Sequence, residues 1–351
     1  MAVTQKEIAR ILGVSQRTVS AALTGNNRVG KELKGKIQTV ARAMGYRAHS
    51  AARAIKTGRH LTLGLVFHSD QYFFSRDLIK AIADTTEKAG MNLLLAMVPK
   101  EQLNDLKTPL ETKIFTEHCV DGFLVNTALQ MPGSLLHAIH AQGIPAVWID
   151  TAGEYDCVYS DEHGCARKAV EVLYEHGHRR IYFATYLQTA AKYASPEQLG
   201  THVDIDREMG YRDAMGDLGL QSRVCAGGLT SMEGLPAFDT GKRLEWALGL
   251  LREEELPTAF VCRSENEAAT ILLAARQLGL TVPGDLSLIC MAPEIVNSCG
   301  LPITTVTTNF TEMGREAVRC LIQRIEEPDT PLPSLVVGCG KIAGLTVEPP
   351  A

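Results

Sequence analysis

Gln16 and Arg17 have side chains whose types and position point to a specific chemistry. They stand at the start of a predicted helix, Gln16 to Leu23, in a segment rich in lysine and arginine. An arginine guanidinium can donate two hydrogen bonds to guanine, and a glutamine amide can pair in a similar way with adenine. Two such side chains at the N-terminus of a helix favour the reading of bases in the major groove of DNA.

Two further helices are predicted to hold that helix in place. Thr4 and Glu7 form a capping-box pattern that begins a first helix, and Gly13 ends it. Ser15 can cap the second helix, and a third runs from about residue 31 to 44. This arrangement predicts a helix-turn-helix domain, although a basic three-helix bundle with another role would have the same elements. The polar side chains placed to contact phosphates or the adjoining DNA are Thr4, Ser15, Thr18, Ser20, Asn27 and Arg28.

The charge of the chain changes sign after this segment. Residues 1–60 contain twelve Lys and Arg against two Asp and Glu, a net charge of +10, whereas residues 61–351 contain 23 against 38, a net charge of −15. A basic segment attracts the phosphate backbone of nucleic acids. The acidic remainder predicts a second domain that binds something else.

Past residue 60, short apolar segments alternate with helical ones. Apolar strands between amphipathic helices are typical of parallel sheets covered on both faces, and their number predicts two doubly wound subdomains. The predicted strands are Leu61–Phe67, Asn92–Met97, Gly122–Asn126, Pro145–Ile149, Arg180–Thr185, Thr258–Arg263 and Leu286–Met291. The predicted helices include Arg76–Ala89, Gly133–Gln142, Gly164–His176, Arg207–Leu218, Gly241–Arg252 and Glu265–Leu278.

Several side chains follow these strands at their carboxyl ends, where ligands bind in doubly wound sheets. A small-molecule site is therefore expected in the cleft between the two subdomains. The candidate residues are Phe73, Phe74, Asn126, Asp150, Arg207, Ser264 and Glu265. Each has a structural alternative, because the two phenylalanines could belong to the core and Asp150 and Arg207 could cap a loop and a helix.

Patterns for other kinds of site are missing. The nine cysteines are scattered, mostly in apolar stretches, and form no CxxC pair, which indicates reduced thiols rather than disulfides or zinc ligands. No apolar run approaches the roughly 18 residues that span a bilayer, and the N-terminus lacks a secretory signal. Phosphate-binding and nucleophile-elbow motifs are also missing. We therefore expect a cytoplasmic protein that is not an enzyme and has no metal or cofactor.

Residues 4–59 resemble the DNA-binding head and hinge of the lac-repressor (LacI/GalR) family. The resemblance lies in EIARILGVSQRTVSAAL, the NNRV loop, MGYR and AARAIKTGR, and it continues through GLVF, DGFLV, GIPAVWID, GHRRIYF, PTAFVC, LGLTVPGDLSLI and ITTV…MGREAV. Each segment is weak by itself, but their order and spacing are specific. The chain is identified as a member of this family.

The resemblance implies a homodimeric regulator, most often a repressor, that binds pseudo-palindromic operator DNA. It also implies a core similar to periplasmic sugar-binding proteins, in which a sugar-like effector between the subdomains changes operator affinity. The matching positions are Gln16, Arg17 and Ala21 for base reading, Asp150 and Arg207 for the effector, and Phe73 or Phe74 for an aromatic wall.

The hinge departs from the family pattern. Family hinges usually contain YRPNALARSL, whereas residues 46–55 are YRAHSAARAI. Ala51 matches the leucine that wedges between base pairs from the minor groove, and an alanine side chain is too short for a full wedge. We expect this hinge to fold on DNA but to bend it less than is usual for the family. The hinge residues expected at DNA are Tyr46, His49, Ala51, Ala52 and Arg53.

The effector site departs as well. The family's usual Asn-Asp pair is Ser264-Glu265 here, its GFDD motif carries Ala292, and two usual arginines are Thr151 and Gly338. The loss of one acid and two arginines predicts that different polar groups are bound. It also leaves open an effector-independent regulator with a decayed site and, more remotely, a soluble carbohydrate-binding protein.

The predicted boundaries follow from these patterns. They are residues 1–46 for the head, 47–59 for the hinge helix and linker, 60–345 for the core, and 346–351 for a frayed tail. Within the core, one subdomain comprises about 60–162 and 303–333, and the other about 163–302 and 334–345.

Overall fold

The computed structural model describes residues 3–23, 29–46, 58–68, 75–99, 119–126, 135, 139, 142–187, 202–229, 240–295, 297–298 and 300–350. The chain forms two compact units, Met1–His60 and Leu61–Ala351. No helix within the described part is long and apolar enough to cross a membrane.

The first unit is built from three short helices, α1 (Gln5–Leu12), α2 (Gln16–Leu23) and α3 (Lys31–Ala43). Thr4 and Glu7 form the predicted capping box at the start of α1. Gly13 ends α1 with a φ of 64°, a left-handed conformation that glycine adopts without strain. The helix-turn-helix arrangement is therefore confirmed, and its helices close around Ile8, Ala9, Val19, Ala22, Ile37 and Ala41.

The second unit contains two six-stranded sheets. The strands of the first are β1 (Thr62–His68), β2 (Asn92–Val98), β3 (Gly122–Asn126), β4 (Ala146–Ile149), β5 (Cys157–Ser160) and β13 (Leu335–Val337). They are all parallel, in the order β13-β5-β4-β3-β1-β2. Helices α4 (Arg76–Lys88) and α9 (Phe310–Glu326) pack together over one face of this sheet.

The strands of the second sheet are β6 (Ile181–Leu187), β7 (Arg223–Leu229), β8 (Ala259–Cys262), β9 (Ser287–Ala292), β12 (Thr304–Thr307) and β14 (Ile342–Ala343). Their order is β14-β12-β9-β8-β6-β7, and β14 runs antiparallel to β12. Helices α5 (Glu162–Glu175) and α6 (His202–Asp217) cover one face, and α7 (Thr240–Leu250) and α8 (Glu265–Gln277) cover the other. A short ribbon, β10 (Asn297–Ser298) with β11 (Leu301–Pro302), lies between β9 and β12 in sequence.

Alternation along the strands explains why both faces of the second sheet are covered. Phe183 and Val261 point to the side of α5 and α6, while the preceding residues, Tyr182 and Phe260, point to the side of α7 and α8. A strand that is apolar on both faces must be buried on both. The predicted doubly wound architecture is thus confirmed, although the predicted helix 133–142 lies almost entirely outside the described residues.

The predicted positions at which the chain passes from one subdomain to the other are wrong by one strand. Strand β12 pairs with β9 in the second sheet, although residues 303–333 were assigned to the first subdomain. Strand β13 pairs with β5 in the first sheet, although residues 334–345 were assigned to the second. A short strand joins whichever sheet edge offers unpaired backbone groups, and the sequence pattern does not specify that edge.

The tail predicted from residue 346 is also wrong for its first residues. Thr346 is fully buried, and its hydroxyl donates to the Leu288 carbonyl at 2.6 Å. The Glu348 carbonyl lies 2.8 Å from His178 Nε2, and Ser287 Oγ donates to the same carbonyl. Prolines nearby prevent a regular helix or strand, but they do not prevent this docking.

Candidate functional site

The exposed N-terminus of α2 is the candidate DNA-binding surface. Ser15 Oγ accepts the backbone N–H of Thr18 at 3.0 Å and so caps α2. Gln16 and Arg17 in the first turn are both exposed, whereas Val19 on the other side of the helix is fully buried. The structure therefore presents the two predicted base-reading side chains on the outer face of a packed helix.

The other predicted DNA contacts are placed unevenly. Thr4 is exposed, with its hydroxyl donating to Glu7, while Ser20 and Ala21 are half-buried on α2. Tyr46 packs against the core of the head, and its hydroxyl accepts a hydrogen bond from Gln5 Nε2 at 3.0 Å, which ties the end of the bundle to α1. The remaining expected contacts, Asn27, Arg28, His49, Ala51, Ala52 and Arg53, lie outside the described residues.

In the second unit, charged and hydroxyl side chains gather where the carboxyl ends of strands from the two sheets meet. We call this group the polar cluster. Asp150 follows β4, Ser160 ends β5, Arg263 follows β8 and Thr308 follows β12. The full polar cluster comprises Asp150, Ser160, Glu162, Asp204, Arg207, Arg263, Glu267 and Thr308.

A buried ion pair lies at the centre of the polar cluster. Arg207 Nε on α6 donates to Glu162 Oε2 at 2.6 Å, and the two side chains are 9% and 2% exposed. Ser160 and Thr308 donate their hydroxyl hydrogens to Glu162 Oε1 at 2.7 and 3.3 Å. Glu162 therefore links Ser160 of the first sheet to Arg207 of the second subdomain.

The ion pair keeps both partners charged. Burial raises the pKa of Glu162, but the charge and hydrogen bond of Arg207 outweigh it, so that pKa lies below its ordinary value. Burial lowers the pKa of Arg207, and Glu162 outweighs that effect and raises it above its ordinary value. The guanidinium of Arg207 is thus already neutralised by the chain's own carboxylate.

The second arginine of the polar cluster is neutralised in the same way. Arg207 Nη1 donates to the Arg263 carbonyl at 2.7 Å. Arg263 itself pairs with Asp204 at 3.1 Å and lies 3.5 Å from Glu267. The two arginines are therefore matched with three carboxylates, those of Glu162, Asp204 and Glu267. Asp150 adds a fourth carboxyl group, so the polar cluster as a whole is acidic.

Asp150 is the carboxylate in this group with no ion-pair partner among the described residues. Its backbone has a φ of 56°, and its Oδ1 lies 3.4 Å from Ser160 Oγ, whose hydroxyl hydrogen is donated to Glu162. Burial and the nearby charge of Glu162 raise its pKa to about 7, against the weaker opposite effect of Arg207. A strained backbone and an uncompensated acid are costly, and such costs concentrate at functional positions.

The structure brings only part of the predicted effector site together. Asp150 and Arg207 belong to the polar cluster, and Ser264 borders it as the N-cap of α8, where it also bonds to Glu267. Glu265 is the partly exposed first residue of α8. Asn126 is buried at the end of β3, and the Ala292 methyl lies in the apolar core beneath α8 rather than in the polar cluster. Phe73 and Phe74 lie outside the described residues.

Sequence reasoning missed Glu162, the residue that organises the polar cluster. The available signal was Ser160-Asp161-Glu162, because Asp161 caps α5 by accepting the N–H of Gly164 at 2.8 Å. Recognising Asp161 as a cap would have started the helix at Glu162, two residues before the predicted Gly164. Strand β5 was not predicted because it is only four residues long and contains Ser160.

The described residues include no group of three or more His, Cys, Asp and Glu arranged to hold a metal ion. His178 is buried, and its ring nitrogens lie 2.9 Å from Thr258 Oγ1 and 2.8 Å from the Glu348 carbonyl. Both ring nitrogens of His178 therefore contact other parts of the second unit.

Comparison with known proteins agrees with the two-unit architecture. Residues 4–49 match the family of bacterial regulatory proteins, lacI family, and residues 170–347 match a periplasmic binding protein-like domain. A probable HTH-type transcriptional regulator, EndR, of Paenibacillus polymyxa is 25% identical over 94% of this chain and 92% of its own. The ribose operon repressor of Haemophilus influenzae is 25% identical over 95% of each chain.

A solved structure has the same fold. The crystal structure of the lac repressor dimer bound to operator and an anti-inducer covers 99% of this chain and 100% of its own, with a TM-score of 0.73 and 18% identity. The chain belongs to the lacI family of bacterial regulatory proteins, and it is a DNA-binding transcriptional regulator with a periplasmic-binding-protein-like core.

Proposed function

We propose that this regulator is a repressor that binds a pseudo-palindromic operator as a homodimer and responds to a small effector at the polar cluster. The observation that carries the DNA-binding part is the exposed pair Gln16 and Arg17 on the capped first turn of α2. The two α2 helices of a dimer would enter successive major grooves. Residues 1–46 act as the head in this proposal, and residues 47–59 act as hinge and linker.

Replacing Arg17 with alanine should weaken operator binding by roughly 1–3 kcal/mol and relax specificity at one base pair in each half-site. The measurement is selection of an operator from random DNA with the full chain, followed by titration of single-base variants. Arg10, an exposed residue on α1, provides the control, because its alanine variant should leave the base preference unchanged. A uniform loss with Arg17→Ala across all sequences would make Arg17 a phosphate contact.

The effector is proposed to be a neutral, sugar-like molecule. Asp150 supplies a carboxylate that can accept hydroxyl hydrogens, and the carboxylates of the polar cluster outnumber its arginines. An anionic group would meet this excess of negative charge and would have to displace Glu162 from Arg207. The ribose operon repressor among the relatives supports a sugar.

A thermal-shift screen of the full chain tests this assignment. A ligand that binds only the folded protein stabilises it by about 2.7 kcal/mol when its concentration is a hundred times Kd. This stabilisation raises the melting temperature. We expect stabilisation by a neutral sugar or nucleoside and a weaker effect from the matching phosphate. Stronger stabilisation by the phosphate would contradict the neutral-effector proposal. No shift by any member of the panel would favour the effector-independent regulator with a decayed site.

The edge of the first sheet supports the homodimer. Strand β2 is the last strand at its edge, and it exposes Leu94, Leu95 and Met97 at 39%, 52% and 58%. Exposed apolar side chains on an edge strand are a liability unless another surface covers them. A second copy of the chain is the occupant that fits a regulator of a two-fold symmetric operator.

We propose no enzymatic activity, cofactor or membrane association for the protein, and we expect it in the cytoplasm. Apart from Asp150, the charged groups of the polar cluster form ion pairs with one another, and the cluster is not arranged as a nucleophile with its base. The effector would act by favouring one relative placement of the two subdomains, which in turn sets the fraction of protein competent to bind the operator.

A further inference from the structure

The carboxylate of Glu162 is held on both of its oxygen atoms by side chains from three parts of the chain. Oε1 accepts hydroxyl hydrogens from Ser160 at the end of β5, at 2.7 Å, and from Thr308 after β12, at 3.3 Å. Oε2 accepts the Nε–H of Arg207 on α6 at 2.6 Å. Because the Glu162 side chain is 2% exposed, moving it aside would break these buried hydrogen bonds together.

The guanidinium of Arg207 already donates to two acceptors of the chain. A carboxylate or phosphate binds arginine best through two parallel hydrogen bonds from neighbouring N–H groups. Here Nε donates to Glu162, and Nη1 donates to the Arg263 carbonyl at 2.7 Å. An acidic ligand would therefore have to displace Glu162 to form such a pair on the edge of the guanidinium that includes Nε.

The other arginine of the polar cluster is matched with carboxylates as well. Arg263 pairs with Asp204 at 3.1 Å and lies 3.5 Å from Glu267, and its side chain is 7% exposed. The carboxyl group of Asp150, in its ionised form, would repel an acidic ligand. The cluster thus supplies its own anions to both arginines.

We propose that Glu162 is the specificity-determining residue of the effector site. Its carboxylate binds Arg207 in the place that an acidic group of a ligand would take, so that effectors with a carboxylate or phosphate at this point are rejected. This role rests on the proposed function, since it needs an effector at the polar cluster. It follows that removing the Glu162 carboxylate should open Arg207 to an acid added from outside.

Replacing Glu162 with alanine removes a fragment with the size and charge of an acetate ion from beside Arg207. Acetate added to the full-length Glu162→Ala protein should therefore raise its melting temperature by about 2–4 °C in a saturable way. Wild type, in which that place is filled, should respond no more to acetate than to chloride at the same ionic strength. Acetamide has nearly the same size but no charge, so it should stabilise Glu162→Ala much less.

Asp217→Ala is the matched control, because it takes a carboxylate away from an arginine at the surface. The side chains of Arg167 and Asp217 are 32% and 67% exposed, so this variant should show no saturable response to acetate. Glu162→Ala combined with Arg207→Met should also lose the response. If Glu162→Ala does not fold, the same measurement is made in combination with Asp150→Asn, which relieves a buried acid without an ion-pair partner among the described residues.

Equal responses to acetate in wild type and Glu162→Ala would overturn the role of Glu162, and so would equal responses in Glu162→Ala and Asp217→Ala. Thermal shifts with neutral sugars and with the sugar acids glucuronate and galacturonate then measure the selectivity. Wild type should prefer the neutral sugars, and Glu162→Ala should move the ratio of affinities towards the acids by about tenfold or more.

The outcomes separate this role from the proposed function. An unchanged preference in Glu162→Ala would refute the selective role of Glu162 and leave the neutral effector standing. A response of Glu162→Ala to acetate, with no sugar or sugar acid binding to either protein, would refute the proposed effector and its selection by Glu162. In that case only the pairing of Glu162 with Arg207 would stand.

Discussion

Replacing Glu162 with glutamine is expected to lower the free energy of unfolding by about 3–5 kcal/mol, because it removes the carboxylate that pairs directly with a buried guanidinium. Arg207 is 9% exposed and has Glu162 as its ion-pair partner at 2.6 Å. Glutamine keeps the size of the side chain, so the loss would come from charge rather than from a cavity. Chemical denaturation of the full chain at neutral pH measures this loss of unfolding free energy.

A surface ion pair on the neighbouring helices provides the control. Arg167 and Asp217 are 2.7 Å apart, but their side chains are 32% and 67% exposed. Asp217→Asn should therefore cost at most about 1 kcal/mol. The double variant Glu162→Leu with Arg207→Met should recover much of the loss, since it removes both buried charges. Equal costs for Glu162→Gln and Asp217→Asn would contradict the buried pair.

Replacing Asp150 with asparagine is expected to stabilise the protein above neutral pH by about 2–3 kcal/mol, after allowing for partial exposure of the side chain. The pKa of Asp150 is raised from 3.8 to about 7, mainly by burial. From about pH 4 the unfolded carboxyl ionises while the folded one stays protonated, so wild-type stability falls until about pH 7. The benefit of asparagine should be small near pH 4, grow through this window and stay level above pH 7.

Asp156 is the matched control for this change. Its φ is 54°, close to the 56° of Asp150, and asparagine tolerates this conformation equally well at both positions. Asp156, however, pairs with Arg324 at 3.0 Å and accepts the Leu332 N–H at 2.9 Å. Asp156→Asn should therefore destabilise the protein by about 1–3 kcal/mol. Melting curves of the two variants, recorded from pH 4 to pH 8, should show changes in stability of opposite sign at pH 8, and destabilisation by Asp150→Asn at that pH would argue against an uncompensated acid.

A residue that lowers stability and still stands at a predicted binding position is the pattern expected of a functional site. If Asp150 contacts the effector, Asp150→Asn should stabilise the free protein and weaken the thermal shift produced by the ligand. These two effects separate a binding role from a purely structural one.

Local patterns in the sequence predicted the elements that have a strong local cause. The capping box of Thr4 and Glu7, the break at Gly13 and the cap at Ser15 each act within a few residues, and all three are present. Apolar strands such as β3, β6 and β8 were predicted within one or two residues of their bounds, because burial on both faces requires an uninterrupted apolar run. Strands β5 and β12 escaped prediction because each has four residues and includes hydroxyl side chains.

The sequence by itself determined the basic head with two exposed polar side chains at the start of its second helix, the doubly wound core and two members of the polar cluster, Asp150 and Arg207. Tertiary structure decided which charges face each other. Glu162 and Arg207 are 45 residues apart, and Arg207 and Arg263 are 56 residues apart. Such pairs depend on how strand ends are brought together, and β12 and β13 show that a strand's sheet is settled by the available edge. The acidity of the polar cluster therefore emerges only in the folded chain.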